Sequence, residues 1–170
     1  MTSGYADQCT CRRMRAHQPS TLCADQYTFA ENGKQVRYAP RQQEETRAIV
    51  LDGCVFNDNE MRCDGLFLWW QVRGGRKVAA LVELKGAGDI SHGFEQLAHV
   101  RSQRPEYQEM VSSLNKEAPG RRAFERAVIV TSGQMTKPER VRLETQYGIR
   151  VRVITHSVPT RPVPDLRDEF

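Results

Sequence analysis

Asp64, Glu83 and Lys85 are the side chains whose types and spacing could do chemistry together. Glu83 and Lys85 alternate in the apolar run 77–85, so on a β-strand both point to one face while Leu84 points to the other. Asp64 precedes a second apolar run, residues 66–70, and Arg73-Gly74-Gly75-Arg76 between them reads as a hairpin. Paired glycines accept the positive φ angles of tight primed turns. With Gly74 and Gly75 as the turn, Asp64 falls opposite Lys85 and diagonal to Glu83, within the roughly 7–8 Å of diagonal neighbours. Carboxylates that close repel unless a cation lies between them or one takes a proton. A hard divalent cation, Mg²⁺ or Mn²⁺, suits a few carboxylate oxygens, retained water and phosphate oxygens, and the Leu84 carbonyl could be a further ligand. Such a cation acidifies bound water and neutralises charge on a phosphoryl group, while Lys85 would hold the attacking water or offset transition-state charge. That set suits phosphodiester hydrolysis. Glu-x-Lys also occurs on solvated strand faces; an Asp in register, the following Gly86 and the apolar lead-in favour a site here.

The flanking segments supply the scaffold. Residues 26–38 form a hairpin turning at Asn32-Gly33, and residues 41–47, rich in Gln and Glu, read as a short helix. Residues 48–56 read as the first core strand, followed by turn chemistry in Asn57-Asp58-Asn59-Glu60. After the two strands bearing Asp64 and Glu83, Phe94, Leu97 and Ala98 follow helical spacing from about Ile90 to the Arg104-Pro105 boundary. A helical piece at 106–114, a strand at 127–131, a helix at 137–147 ended by Gly148, and a strand at 149–154 complete the pattern. The order helix, three-strand meander, helix, strand, helix, strand predicts an α/β fold: a mixed sheet with helices on both faces. Three parts are expected: an N-terminal extension with its hairpin (1–40), the core (41–157) and an extended or disordered Pro-rich tail (158–170).

Asp64 followed some twenty residues later by Glu83-x-Lys85, in a hairpin with a helix before and a long helix after, resembles the PD-(D/E)xK nuclease superfamily. The resemblance covers roughly residues 42–156 and implies a restriction-endonuclease-like core, as also found in Holliday-junction resolvases. It implies that Asp64 and Glu83 bind Mg²⁺ and that Lys85 assists the nucleophilic water. Gln96, on the helix after the motif, matches a polar position of the family. Cys63 stands where the family's Pro is expected, and Val100 where a RecB-like subgroup carries Tyr. Glu45 could add a carboxylate from the first helix, and His92, near a helix N-terminus, could meet the scissile phosphate. The expected activity is endonucleolytic, on DNA rather than RNA, in a bacterial or phage defence effector. The alternatives are an RNA-cleaving nuclease of the same fold, or a catalytically silent nucleic-acid-binding or assembly subunit.

Composition sets the outer limits. A chain of 170 residues, 27% charged and 39% hydrophobic, fits an ordinary globular domain rather than a disordered one. No apolar run is long enough for a bilayer, and no export signal is legible, so a cytoplasmic location is expected. A net charge of +4 is mildly basic; arginines after the site, among them Arg101, Arg140 and Arg142, are either phosphate contacts or solvated helix surface. With no separate DNA-reading domain, specificity would require a homodimer or a partner in a larger complex. Five cysteines, an odd number, argue against a disulfide framework. Cys9, Cys11, His17 and Cys23 could instead hold a structural Zn²⁺, although the spacing lacks paired CxxC knuckles. Cys54 and Cys63 read as buried core residues on adjacent strands.

Overall fold

A computed structural model of the chain describes residues 4–17, 22–157 and 162–170. Two short helices, α1 (Gly4–Gln8) and α2 (Cys11–His17), lead into a small antiparallel sheet of β1 (Cys23–Asp25), β2 (Thr28–Glu31) and β3 (Lys34–Arg37). The larger sheet comprises β4 (Glu44–Val50), β5 (Gly65–Gln71), β6 (Lys77–Lys85), β7 (Phe124–Thr131) and β8 (Arg152–Thr155), in that spatial order. The β4-β5-β6 meander is antiparallel, and β7 and β8 add in parallel through crossovers carrying α3 (Ile90–Gln103), α4 (Pro105–Glu117) and α5 (Lys137–Tyr147). The fold is therefore α/β with a mixed sheet. β6, its central strand, is buried from Lys77 to Leu84, which explains its unbroken apolar reading.

The two faces of this sheet are covered differently. Ile49, Leu66, Leu68, Ala79, Leu81 and Ile129 pack under Phe94, Leu97, Tyr107, Met110 and Leu143 of the three long helices. The opposite face, including Phe67, Trp69, Val82 and Val128, packs against Phe29, Val36 and Tyr38 of the small sheet. Phe29 lies 4.5 Å from Phe67 between ring centroids, and Tyr38 stacks on Trp69 at 5.6 Å. Helices on both faces were expected; the long helices share one face, because β6-β7-β8 advances in one direction and both right-handed crossovers fall on the same side.

Capping follows local chemistry. Thr136 and Glu139 close a reciprocal capping box at the start of α5, and Gly148 ends it at φ 66. Pro105 opens α4, where its missing N–H costs nothing. Gly93 lets α3 approach the sheet, since a Cβ there would lie 3.0 Å from Ile129 Cδ1 and 3.1 Å from Lys85 Cγ.

Several expectations need correction. Residues 41–47 are not a helix: Gln43 takes φ 64, Glu44 N–H donates to the Arg41 carbonyl in a turn, and the chain enters β4 directly. The strand runs from Glu44, because Glu44–Val50 pairs rung by rung with the apolar β5, and residues 51–56 turn instead of extending it. The β5–β6 turn takes the four residues 72–75, closed by Gln71 N–H on the Arg76 carbonyl at 3.2 Å. That shifts the pairing by two residues from the tight-turn expectation. The described part of the tail is ordered: Leu166–Asp168 forms a 3-10 turn, Arg167 ion-pairs with Glu44, and Arg37 N–H donates to the Pro164 carbonyl. Residues 158–161 lie outside the described ones.

The expected zinc set is dismantled by two disulfides, Cys9–Cys54 and Cys11–Cys23. The chain crosses the open edge of β4 at Cys9–Thr10, where Val50 N–H donates to the Cys9 carbonyl at 2.8 Å. Cys9 thus joins the helix-side core and Cys11 the opposite one, so their sulfurs cannot share an ion. The side chain of His17 lies outside the described ones. Chain entropy assigns about 4 kcal/mol to closing the 45-residue separation and about 3 kcal/mol to the 12-residue one. Cys63 remains a free, buried thiol.

Candidate carboxylate site at the end of β5 and β6

The last β5–β6 rung is Gly65↔Val82, which brings Asp64 level with Glu83 rather than with Lys85. Because the shift from the expected register is two residues, every side chain keeps its face. Glu83 and Lys85 therefore stay on the helix-covered side with Ala79 and Leu81. Where the ladder ends, side chains take over from backbone. Asp64 N–H donates to Glu83 Oε2 at 3.0 Å, and Leu84 N–H donates to Asp64 Oδ2 at 2.8 Å. Lys85 Nζ lies 3.2 Å from Glu83 Oε1. The Asp64 carbonyl in turn accepts from Leu51 N–H at 3.0 Å and Asp52 N–H at 3.3 Å, so the 51–56 turn grips the same residue from behind.

Burial sets the electrostatics. Glu83 is 2% exposed, yet its charged neighbours are one ammonium and one further carboxylate. Desolvation, and then the charge of Asp64, push its carboxyl up to about 8. Desolvation likewise raises Asp64 to about 7 against the opposing Leu84 hydrogen bond. Near neutral pH, with no cation bound, the pair keeps a proton. Burial, Glu83 and Asp64 together push the Cys63 thiol well up, so it acts here as a small apolar neighbour rather than a nucleophile.

Gln96 belongs to this neighbourhood. Its Nε2 donates to the Arg62 carbonyl at 2.8 Å, tying α3 to the segment that delivers Asp64. Its Oε1 is buried without a hydrogen bond among the described residues. A stranded carboxamide oxygen on the residue that anchors the Asp64 segment, with two carboxyls of raised pKa, fits a hard cation, which prefers oxygen donors and supplies the missing positive charge. Among the described residues no three His, Cys, Asp or Glu side chains form a metal-holding group. Asp64 and Glu83 would therefore bind such an ion with the Leu84 carbonyl or Gln96 Oε1, and water or phosphate would complete the shell.

One candidate is not brought to this point. Glu45 is exposed on β4 opposite Trp70, six strand residues from the level of Asp64, or about 20 Å along the strand. It cannot add a ligand there, because the helix that would have carried it over the site does not exist. His92 is half exposed on α3 and meets Glu95 at 3.4 Å. Sequence reasoning missed Leu84 N–H as a donor to Asp64, the Arg62 carbonyl as the anchor of Gln96, and the Cys9–Cys54 bridge into the turn that grips Asp64. The apolar flanks of Cys54 gave no sign of its partner. No family model, curated protein or solved structure matches this chain.

Proposed function

We propose that this chain is a Mg²⁺-dependent (or Mn²⁺-dependent) endonuclease that hydrolyses DNA phosphodiester bonds, with a PD-(D/E)xK-like core. The observation carrying the proposal is the meeting of Asp64, Glu83 and Lys85 at one strand end, buried enough to keep two carboxyls partly protonated. A structural pair would be better served by full neutralisation, whereas one awaiting a cation is expected to look uncompensated.

A divalent cation held there supplies charge neutralisation at the phosphoryl group and a more acidic water. Asp64 and Glu83 hold it, and both are pre-oriented by backbone N–H groups of the neighbouring strand. Lys85 keeps its ammonium against Glu83 and is the group placed to position water or to stabilise negative charge on the phosphate. Gln96 holds the Asp64 segment and offers its free amide oxygen to water. Gly93 sets how closely α3 covers Lys85.

The carboxylate clasp itself favours a second reading, a non-catalytic nucleic-acid-binding or assembly subunit, because the same two hydrogen bonds could serve only to join β5 to β6. Purified protein incubated with supercoiled plasmid, single-stranded DNA and RNA, with Mg²⁺ or with EDTA, separates the readings. Metal-dependent cleavage that disappears in Glu83→Gln supports the nuclease; cleavage persisting in that variant assigns the activity elsewhere. RNA as the only substrate cleaved would move the assignment to a ribonuclease of the same core.

Among the described residues no helix is long and apolar enough to cross a membrane. Two disulfides overturn the expectation drawn from the odd cysteine count and suit maturation in an oxidising environment rather than a reducing cytoplasm. A role as a conflict effector is compatible with that chemistry, and target choice would come from a second copy or a partner protein.

A further inference from the structure

Lys85, Thr131 and Thr155 are consecutive cross-strand neighbours on β6, β7 and β8, at the end of the parallel strands where α5 begins. Thr155 lies two strand spacings from Lys85, about 10 Å. Beyond it opens a cleft of about 250 Å³ lined by Lys137, Arg140 and Arg152. Arg140 also borders a wider cleft of about 760 Å³ between α3 and α5, with Arg101 and Arg150 on its other walls. A row of basic side chains thus leads away from the candidate site, over the first turn of α5 and along its flank.

Nearby carboxylates are already engaged. Glu144 accepts from Val151 N–H at 3.0 Å, Glu139 closes the capping box with Thr136 N–H at 3.0 Å, and Glu169 pairs with Arg152 at 2.7 Å. Lys137, Arg140, Arg150 and Arg101 form no ion pair among the described residues. Arg101 and Arg150 stand by helix C-termini, where a cation is favoured without any ligand. Lys137 and Arg140 do not: they occupy the first turn of α5, where the helix dipole disfavours positive charge. An anion laid across that turn would be held by both side chains.

We propose that Lys137, Arg140, Arg150 and Arg101 form a track for the phosphate backbone of a polynucleotide, which leaves the Asp64–Glu83–Lys85 site past the exposed Thr155. The track rests on the nucleic-acid reading above and extends it from one bond to a bound strand. At about 3.4 Å of axis per nucleotide, the first cleft is reached about three nucleotides from the candidate scissile bond. Contacts of this kind carry affinity and register but no base preference.

The test is fluorescence anisotropy of the full chain in EDTA, with labelled duplex DNA, single-stranded DNA and RNA, across a salt series. Each neutralised phosphate contact carries a slope of about 0.9 in log K against log salt for duplex DNA. Replacing all four track residues with Gln is expected to lower the slope on duplex DNA by about 3.6 and to weaken binding at least about tenfold at 0.1 M salt. Lys137→Gln/Arg140→Gln and Arg101→Gln/Arg150→Gln should each give about half of the slope change, which keeps the test readable if the quadruple variant folds poorly. Arg121→Gln/Arg122→Gln, an equal charge change on an exposed loop, should leave binding as in wild type. Unchanged slopes in the track variants, an equal loss in the Arg121/Arg122 control, or no polynucleotide binding even at low salt overturns the track. Plasmid cleavage with unchanged slopes removes the track and leaves the nuclease; altered slopes without cleavage of any substrate keep the track and remove the nuclease.

Discussion

Arg104 and Glu83 each bury a charged group, and the two are solved in opposite ways. Arg104, at the junction of α3 and α4, is 1% exposed. It donates bidentately to Asp58 at 2.9 and 2.7 Å, lies within 4 Å of Glu60 and Glu106, and rests 3.9 Å above the Phe56 ring. Desolvation works against its charge but is outweighed by Asp58 and the neighbouring carboxylates, so its pKa rises. Glu83 is equally buried, yet desolvation and Asp64 outweigh Lys85, and its carboxyl resists ionisation. One buried ion is fully answered by the fold; the other is left short of positive charge. The first pattern belongs to a fastening between the α3–α4 junction and the 57–60 turn, and the second is the one that the proposed cation site requires.

The largest effect that could break this contrast is on activity. Glu83→Gln removes the charge while keeping shape, and is expected to lower plasmid cleavage by about 10²–10³-fold or more, as for the loss of one key electrostatic group. Its thermal midpoint should stay level or rise. A clear fall in melting temperature with activity intact would make the pair a structural clasp.

Next in size is Arg104→Met. It should cost on the order of 2–4 kcal/mol in urea unfolding, at the lower end because its carboxylate partners face water. Plasmid cleavage per folded molecule, where the proposed activity holds, should be unchanged. A loss under about 1 kcal/mol would show the guanidinium to be dispensable to the fold.

The pH dependence sharpens the comparison further. Both site carboxyls have folded pKa values above their unfolded ones, so the folded state binds more protons between about pH 4 and about pH 8. Stability from the protonated pair is fully present below pH 4 and is lost as pH rises to 8. Metal-free protein should therefore melt at lower temperature at pH 8 than at pH 5, and Glu83→Gln should reduce that difference. Added Mg²⁺ should raise the midpoint more at pH 8 than at pH 5, because binding requires deprotonated ligands. Equal Mg²⁺ shifts at both values, read by calorimetry, would argue against carboxylate ligation.

The smallest effect is expected at Gln96→Leu, which frees the Arg62 carbonyl. It should cost about 1 kcal/mol of stability and lower the cleavage rate about tenfold by loosening the Asp64 segment. A rate equal to wild type would place Gln96 outside the working site.

The features legible in the residues share one property: they depend on neighbours in sequence. The Asn32-Gly33 hairpin, α5 with its capping box and terminal Gly148, and the apolar stripe of α3 all stand where local chemistry puts them. The start of β4 was illegible because its first residues are Glu44, Glu45 and Thr46, and what makes them a strand is seven consecutive rungs with β5. The cysteine pairs were illegible for a related reason. Cys9 and Cys54 are 45 residues apart and meet only because the chain crosses the β4 edge and the 51–56 turn folds back beneath it.

From the residues alone it followed that Glu83 and Lys85 share a face, since alternation along a strand is a property of the backbone and survives any even shift of register. Only tertiary structure decided that Asp64 meets Glu83 instead of Lys85, that Glu83 is buried, and that α3 holds the Asp64 segment through Gln96. Tertiary structure also decided that the cysteines are spent on disulfides instead of on a metal. Each of these depends on which distant segments exclude water together, and burial is a sum over contacts that no local spacing encodes.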